Sequence, residues 1–368
     1  MSLHRRDFLH LACGGLAGGA LTAAAGCAST AQASGGHRKL RIALANSYIG
    51  NSWRIEMENQ WKAALQMEPF ASQVEGTIYN ANNNLRDQSQ EMANLVSLQV
   101  DAIVIDAASP TALNGIIEQA AAHGILVIAF DNTVSTKKAL NVNTDQFKFG
   151  QLLAEHLAGL LHGKGNVIMG TGVPGTTVDA DRNAGAEKVW KKYPGIKVVN
   201  KFTTMWDSSV AQKNAAAILP SLPKIDGIWA QGGTDGILKA FQGAGKPLPP
   251  TCGESENGFR KFLAGMPGYP KVKGLSIGQP PYLSVVSLEV ARRILRHEYP
   301  RQDVVLPFPS VTDQTVKVGQ TVFPEVADSF FTGFTDTSAR PVLHMCLQSA
   351  LKGTPCAHSL NVNLPKEA

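Results

Sequence analysis

Short apolar runs alternate with helical patterns along the first part of the chain. The runs LRIALAN, VEGTIYN, DAIVIDA and ILVIAFD are separated by patterns that predict helices near 54–67, over LRDQSQEMANLVSL and from about Pro110. Nearly continuous apolar runs are typical of strands that are buried on both faces. This alternation therefore predicts a parallel sheet that is covered by helices on both sides.

A second series of the same kind follows the segment NVNTDQF. Its apolar runs are NVIMG, IKVVNKF, DGIWAQ, TCGE and VKGLSIG, and helices are predicted near 146–162, 178–192, 208–219, 234–243 and 257–265. The predicted fold class is therefore α/β, with two doubly wound parallel-sheet lobes that are joined by a hinge near 135–140.

The last predicted helix lies in QPPYLSVVSLEVARRILRH, and its position indicates that the chain crosses back to the first lobe. We expect the first lobe to comprise residues 39–135 and about 282–312. The second lobe is then expected to comprise residues 136–281 and about 313–340, and residues 341–368 an irregular tail.

Composition narrows the class of protein. The chain has 368 residues, of which 44% are hydrophobic and 17% are charged, which is typical of globular domains. The formal net charge is only +5, and no cluster of Lys and Arg forms a basic stripe. We therefore expect no nucleic-acid partner. We also expect the protein to be a monomer.

The first 27 residues have the features of an export signal. Arg5 and Arg6 precede a weakly apolar stretch rich in Gly and Ala, and HRRDFLH resembles a twin-arginine signal. The segment TAAAGC resembles a lipoprotein processing site with Cys27 as the lipidated residue. The alternative is that Cys27 is a passive residue beside an ordinary cleavage site, so we expect a periplasmic protein with or without a lipid anchor.

The other cysteines lie far from this signal. Cys346 and Cys356 are ten residues apart, and an exported chain favours a disulfide between them. His344 and His358 flank the same pair, so a zinc site is the alternative, although its spacing matches no common zinc module. Cys252 is expected to be a small buried side chain.

Open parallel sheets bind ligands at the carboxyl ends of their strands. Two such sheets that face each other would form a cleft. The helix that follows LRIALAN opens with Trp53 and Arg54 instead of small capping residues, and its first turn would point into that cleft. We therefore expect both side chains to contact a ligand.

Several ordered motifs together resemble a known family. They are IALANSYIGNSWRIEMENQW, the segment from DQSQEM to AFDN, GTTVDADRNAGAEKV, WAQGGTDGILKAFQGAG and GLSIGQPPYL. Over about residues 39–320 the chain resembles the periplasmic sugar-binding proteins of ABC transporters, the ribose- and galactose-binding type with the type I periplasmic-binding-protein fold. This resemblance implies a small sugar or polyol as ligand and a membrane permease as partner.

The resemblance also implies a set of cleft residues. Two departures affect it: Gly232 and Gly233 stand where the family often has Asn-Asp, with Asp235 as the substitute, and GESENGF replaces the family's Gly-Phe-Asp-Gly. Glu254 stays in the set, although we expect Glu254 and Glu256 to be mainly solvated. The candidate ligand-binding residues are Asn51, Trp53, Arg54, Asp131, Asn132, Arg182, Trp206, Asp207, Asp235, Glu254 and Gln279.

These residue types suit a sugar, because aromatic rings cover its C–H faces while carboxylates, amides and guanidinium groups pair its hydroxyls. Each also has a structural alternative. Trp53 and Trp206 could be packing residues, Arg54 could pair with Glu58 on a solvated helix face, and Arg182 could be a surface charge. Asp131 and Gln279 could simply belong to turns.

Signals for catalysis are absent from the sequence, which has no phosphate loop, dinucleotide fingerprint or nucleophile elbow. We expect no enzyme activity, no cofactor and no metal. The first hypothesis is a receptor that delivers a sugar or polyol to an ABC importer. The alternatives are a periplasmic sensor that signals to a membrane receptor or kinase, and an exported hydrolase with Asp131 and Glu254 as its carboxylate pair.

Overall fold

The structure is a computed structural model that describes residues 38–333. Its first sheet consists of β1 (Leu40–Asn46), β2 (Val74–Asn80), β3 (Ala102–Asp106), β4 (Leu126–Phe130), β5 (Ala139–Thr144) and β11 (Val304–Leu306). The strands lie in the order β2-β1-β3-β4-β5-β11, and neighbouring strands are parallel.

The second sheet repeats this order. It consists of β6 (Lys164–Thr171), β7 (Gly195–Thr203), β8 (Gly227–Ala230), β9 (Thr251–Glu254), β10 (Gly274–Ile277) and β12 (Ser310–Thr312). The strands lie in the order β7-β6-β8-β9-β10-β12, and β12 runs antiparallel to β10 while the other pairs are parallel.

Helices cover both faces of each sheet. In the first lobe α1 (Ser52–Leu65), α2 (Phe70–Gln73) and α10 (Leu283–Leu295) pack on one face, and α3 (Leu85–Ser97) and α4 (Asn114–Ala122) on the other. In the second lobe α5 (Gln146–Leu160) and α6 (Thr177–Trp190) pack on one face. The other face carries α7 (Ser208–Ile218), α8 (Thr234–Gly243) and α9 (Asn257–Ala264), and a 3-10 turn spans Leu219–Ser221.

Burial on both faces explains the continuous apolar runs. Val127 and Ile128 are neighbours on β4, yet they belong to the hydrophobic clusters on opposite faces of the sheet. Successive side chains of a strand point to opposite sides, so a strand covered on both sides must be apolar at every position. The predicted two-lobed α/β fold class is confirmed, and α10 packs in the first lobe as expected.

One predicted lobe boundary is wrong. The expected hinge near 135–140 is followed by β5, which pairs with β4 in the first sheet, so the chain leaves the first lobe only after Thr144. This strand was missed because polar Asn141 and Asn143 interrupt its apolar pattern. The return to the second lobe falls between β11 and β12, a few residues before the expected boundary at about 312, because β12 pairs with β10.

The state of Cys252 and the apolar character of the helices can be described for residues 38–333. Cys252 is fully buried and unbridged, as expected, and burial raises the pKa of its thiol to about 12. Among residues 38–333, no helix is both long and apolar enough to cross a membrane. The export signal, Cys27, Cys346, Cys356, His344 and His358 lie outside the described residues, so their predicted roles stay predictions.

Candidate functional site

A cavity lies between the carboxyl ends of the two sheets. Its side chains leave about 320 Å³ of unoccupied space, including the part open to solvent. Eight of the eleven candidate residues line it, together with Val178 and Phe331. The eight are Asn51, Trp53, Arg54, Asp131, Arg182, Trp206, Glu254 and Gln279.

The start of α1 places three of these residues. Asn51 is the N-cap of α1, and its side-chain oxygen accepts a hydrogen bond from the backbone N–H of Arg54 at 2.9 Å. This cap fixes the first turn at the end of β1, so Trp53 and Arg54 project from the turn to the cavity wall. Trp53 also belongs to the hydrophobic cluster of α1 and α10, so packing and cavity lining are combined in one side chain.

Arg54 is buried among acceptors of the first lobe. Its Nη1 lies 2.5 Å from Asp106 Oδ2 and 2.5 Å from Asn46 Oδ1, and its Nη2 lies 3.8 Å from Asp131 Oδ2. Glu58 pairs with Lys62 instead, so the alternative of a solvated Arg54–Glu58 pair is wrong. A buried guanidinium needs such partners, because an unpaired buried charge is costly.

Asp131 is the acidic residue on this side of the cavity, and the fully buried Asp106 lies behind it. Each follows or ends a buried strand, and Asn132 donates hydrogen bonds to Asp106 Oδ1 at 3.0 Å and to Asp131 Oδ2 at 3.1 Å. Burial raises the pKa of Asp106 to about 7, with the charge of Asp131 adding to the rise and Arg54 opposing it. Asp131 therefore lines the cavity, while Asp106 lies behind it and pairs with Arg54.

Arg182 and Glu254 form the opposite wall. Arg182 projects from α6, and its Nη1 donates to Glu254 Oε2 at 2.8 Å and to the carbonyl of Gln231 at 2.9 Å. Its Nε donates to Gln146 Oε1 at 2.8 Å, and its guanidinium carbon lies 3.8 Å from the centre of the Phe149 ring. Arg182 is only 1% exposed, so the alternative of a surface charge is wrong.

Gln279 connects the two walls. Its Nε2 donates to Asp131 Oδ1 at 2.8 Å and to Asn143 Oδ1 at 2.9 Å, and its Oε1 accepts from the Thr144 hydroxyl. Its backbone N–H donates to Glu254 Oε1 at 2.8 Å, and its carbonyl accepts from Trp53 Nε1 at 2.8 Å. Both lobes therefore meet on this single residue beside the cavity.

Aromatic side chains supply the apolar part of the lining. Trp206 is held by a hydrogen bond from its Nε1 to Gln231 Oε1 at 3.2 Å. Gly172 and Gly232 lie against its indole, since a Cβ built on them would lie 2.2 Å and 2.8 Å from ring atoms. The glycine at 232, where the family often has a polar residue, therefore makes room for Trp206.

Three candidate residues do not line the cavity. Asn132 lies behind the cavity wall, where its side chain donates hydrogen bonds to Asp106 and Asp131. Asp207 is the N-cap of α7 and accepts from the backbone N–H of Val210 at 2.8 Å. Asp235 is fully buried and paired with Lys239 at 2.7 Å and with the Ser208 hydroxyl, so it does not substitute for the missing polar pair at 232–233.

The expectation that Glu254 and Glu256 are solvated is also wrong. Both are buried, since β9 ends at Glu254 in the middle of the second sheet. Burial raises the pKa of Glu254, and Arg182 opposes the rise. Burial also raises the pKa of Glu256 to about 8, helped by the nearby charges of Glu254 and Asp235.

Sequence reasoning missed Asp106, Val178 and Phe331. Asp106 carried the same signal as Asp131, because both are carboxylates at the carboxyl end of a buried strand. Phe331 lies in an irregular segment with no periodicity, so its sequence context gave no signal for a place in the cavity.

Among residues 38–333, no group of three or more His, Cys, Asp or Glu side chains is placed to hold a metal ion.

The chain belongs to the periplasmic binding protein family, because the model described as "Periplasmic binding protein domain" matches residues 42–299. Membership implies an extracytoplasmic protein of a class that binds solutes. The chain is 28% identical over 254 residues to a xylitol-binding protein of Mycolicibacterium smegmatis, covering 67% of this chain and 71% of that protein.

Two other proteins extend the comparison. The ribose import binding protein of Bacillus subtilis is 24% identical over 218 residues, which cover 58% of this chain and 70% of the relative. A crystal structure of an ABC transporter solute binding protein from Thermobispora bispora is 26% identical with a TM-score of 0.72. The match covers 89% of this chain and 99% of that chain.

Proposed function

We propose that this protein is an extracytoplasmic receptor that captures a sugar or polyol in the interlobe cavity and delivers it to an ABC importer. The observation that carries the proposal is the cavity itself, in which buried carboxylate, guanidinium and amide groups alternate with aromatic rings. The xylitol- and ribose-binding relatives support the same class of ligand. We propose a binding protein without catalytic activity.

Each lining residue has a proposed role. Asp131, Glu254 and Gln279 accept or donate hydrogen bonds to ligand hydroxyls, while Arg54 and Arg182 donate from opposite walls. Asn51 lines the cavity beside them. Trp53 and Trp206 cover the C–H faces of the ligand, because such faces are apolar and aromatic rings bury them well.

The polar network makes such a site selective. Its groups are buried and already paired with each other, so a ligand must replace or extend these hydrogen bonds without leaving any group unpaired. A molecule that lacks a hydroxyl at one of these positions would leave a buried polar atom unsatisfied and bind more weakly. The lobes close around the ligand by a hinge motion, and the closed form is the state that the permease recognises.

Placement outside the cytoplasm fits this role. We propose export through the twin-arginine signal around Arg5 and Arg6, with lipidation of Cys27 as the means of attachment to the membrane. Replacing Arg5 and Arg6 by Lys should leave the protein in the cytoplasm, whereas Cys27→Ala should release an exported protein from the membrane fraction. Export of the Lys variant at the wild-type level would contradict the twin-arginine route.

The function is tested by thermal unfolding of the purified protein with pentoses, hexoses, polyols and nucleosides. A ligand that binds only the folded state raises the melting temperature as ln(1 + [L]/Kd). We expect a rise with one sugar or polyol and recovery of that compound unchanged at one molecule per protein. Chemical turnover of the compound would favour a hydrolase, and a shift with nucleosides alone would contradict the proposed ligand class.

A further inference from the structure

Residues 321–333 run along α9 of the second lobe, and we call this segment the strap. Asn257 Nδ2 donates to the carbonyls of Phe323 and Val326 at 2.8 Å and 2.9 Å, and Asn257 Oδ1 accepts from the Phe323 N–H at 2.9 Å. The backbone N–H of Asn257 donates to the Phe330 carbonyl at 2.7 Å. Asn257 therefore holds the first part of the strap with its side chain and the end of the strap with its backbone N–H.

Charged side chains fix the middle and the end of the strap. Asp328 accepts hydrogen bonds from Lys239 at 2.7 Å, Lys261 at 2.9 Å and the Tyr269 hydroxyl at 2.8 Å. Arg260 is 1% exposed, and its Nη1 donates to the carbonyl of Thr332 at 2.6 Å. The strap is therefore attached to the second lobe by buried hydrogen bonds and ion pairs along most of its length.

Phe331 is the point at which the strap reaches the first lobe. Its backbone N–H donates to Glu56 Oε2 of α1 at 2.8 Å, and its ring belongs to the hydrophobic cluster that contains Trp53 and Tyr282. The same residue lines the ligand cavity and is 2% exposed. A strap that is bonded to α9 of the second lobe thus contributes a ring to the hydrophobic cluster of the first lobe.

The neighbouring phenylalanine has a different environment. Phe330 packs with Phe323 and Val326 in a small cluster within the strap, and it does not appear among the residues that line the cavity. The strap therefore separates two adjacent rings, of which one supports the strap and the other faces the ligand site. The departure at GESENGF has a structural reason here, because Asn257 belongs to this motif and holds the strap.

We propose that Phe331 is a specificity-determining residue of the ligand site, which the strap of the second lobe places against the first lobe when the cleft is closed. This inference rests on the function proposed above. Phe331 offers no hydrogen-bonding group, so it selects ligands that present a C–H face or a deoxy carbon at its position and disfavours those that present a hydroxyl there. Because the Phe331 N–H is bonded to Glu56 of the first lobe while the strap is bonded to Asn257 of the second, opening of the cleft must break one of these two attachments, which makes the seated ring a feature of the closed state.

Calorimetric titration of the wild type, Phe331→Ala, Phe331→Leu and Phe330→Ala with the same panel of sugars, polyols and deoxy sugars tests this proposal. We expect Phe331→Ala to weaken the preferred ligand at least about tenfold and to change the order of preference between matched hydroxy and deoxy compounds. Phe331→Leu keeps an apolar side chain and should retain the order of preference with a smaller loss. Phe330→Ala should lower the melting temperature while leaving the affinity within about twofold of wild type.

The outcomes separate this inference from the proposed function. Wild-type affinity and order of preference in Phe331→Ala, together with loss of binding in Asp131→Asn, would overturn the role of Phe331 and leave the receptor function intact. Equal loss of affinity in Phe330→Ala and Phe331→Ala, with no change in the order of preference, would also overturn it, because both would then act through the fold of the strap. Absence of any binding by the wild type would overturn the proposed function and this inference with it.

Discussion

Gln279 and Asp131 join the two lobes, with Nε2 of Gln279 donating a hydrogen bond to Oδ1 of Asp131 at 2.8 Å. Gln279 follows β10 of the second sheet, and Asp131 follows β4 of the first. The backbone N–H of Gln279 binds Glu254 as well, so the acidic groups of both walls converge on one amide residue. A ligand that binds Asp131 would therefore act directly on a contact between the lobes.

Loss of the Asp131 carboxylate should weaken ligand binding. Asp131→Asn removes a charged acceptor, and hydrogen bonds to charged groups contribute about 1.5–3 kcal/mol, so we expect the Kd to rise about 10- to 100-fold. Asp207→Ala is the matched control, because Asp207 caps α7 outside the cavity. The control should lose about 1 kcal/mol of stability and keep its affinity. Equal affinities of Asp131→Asn and wild type in a calorimetric titration would contradict the assignment.

The buried pair of Arg182 and Glu254 should show strong energetic coupling. Removing either charge alone leaves the other buried without its partner, so Arg182→Leu and Glu254→Leu should each destabilise the ligand-free protein by about 3–5 kcal/mol. The double variant should lose clearly less than the sum of the two. Urea unfolding of all four proteins measures this coupling, and additive losses would show that the ion pair contributes little.

Trp206 depends on the glycines that surround it. In Gly172→Ala the new Cβ would lie 2.2 Å from Cε2 of Trp206, so the indole must move. We expect weaker ligand binding although no polar group of the cavity changes. Gly159→Ala is the control, because a Cβ there meets no described atom within 4 Å and alanine should stabilise α5 by roughly 0.5–1 kcal/mol. Unchanged affinity in Gly172→Ala would argue against a ligand role for Trp206.

The raised pKa of Glu256 predicts a pH dependence of stability. Its folded-state pKa of about 8 lies above the ordinary 4.5, so the folded protein holds a proton that the unfolded chain releases between these values. The free energy of unfolding should therefore fall as pH rises towards 8, by up to about 1.4 kcal/mol per pH unit for this group, and level off above. Urea unfolding between pH 6.5 and 9 should show a shallower slope for Glu256→Gln. Equal slopes in the two proteins would contradict this assignment.

Much of the fold could be predicted because the signals for its strands and helices lie within short stretches of the sequence. A continuous apolar run such as AIVID carries its own signal, and parallel order brings the strand ends together. The candidates at strand ends, Asp131 and Gln279, accordingly line the cavity. The strand β5 was not predicted, because polar residues alternate with its apolar ones and weaken the apolar pattern.

The rest of the site depends on partners that are distant in the sequence. Asp207 and Asp235 are carboxylates that could bind a hydroxyl. Asp207 instead caps the N-terminus of α7, and Asp235 pairs with Lys239. Glu254 and Glu256 look solvated in GESENGF because nothing nearby shows that they lie buried at the end of a central strand. Phe331 is held at the cavity by hydrogen bonds of the strap to α9 and to Glu56, both of which lie more than sixty residues earlier.

The most direct test of the receptor assignment is a calorimetric titration of the purified protein with the sugar or polyol that raises its melting temperature most. We predict saturable binding of one ligand per protein, which becomes much weaker in both Asp131→Asn and Gln279→Ala. Failure of every sugar and polyol to bind, or binding that keeps its affinity in both variants, would contradict a sugar-binding site between the lobes.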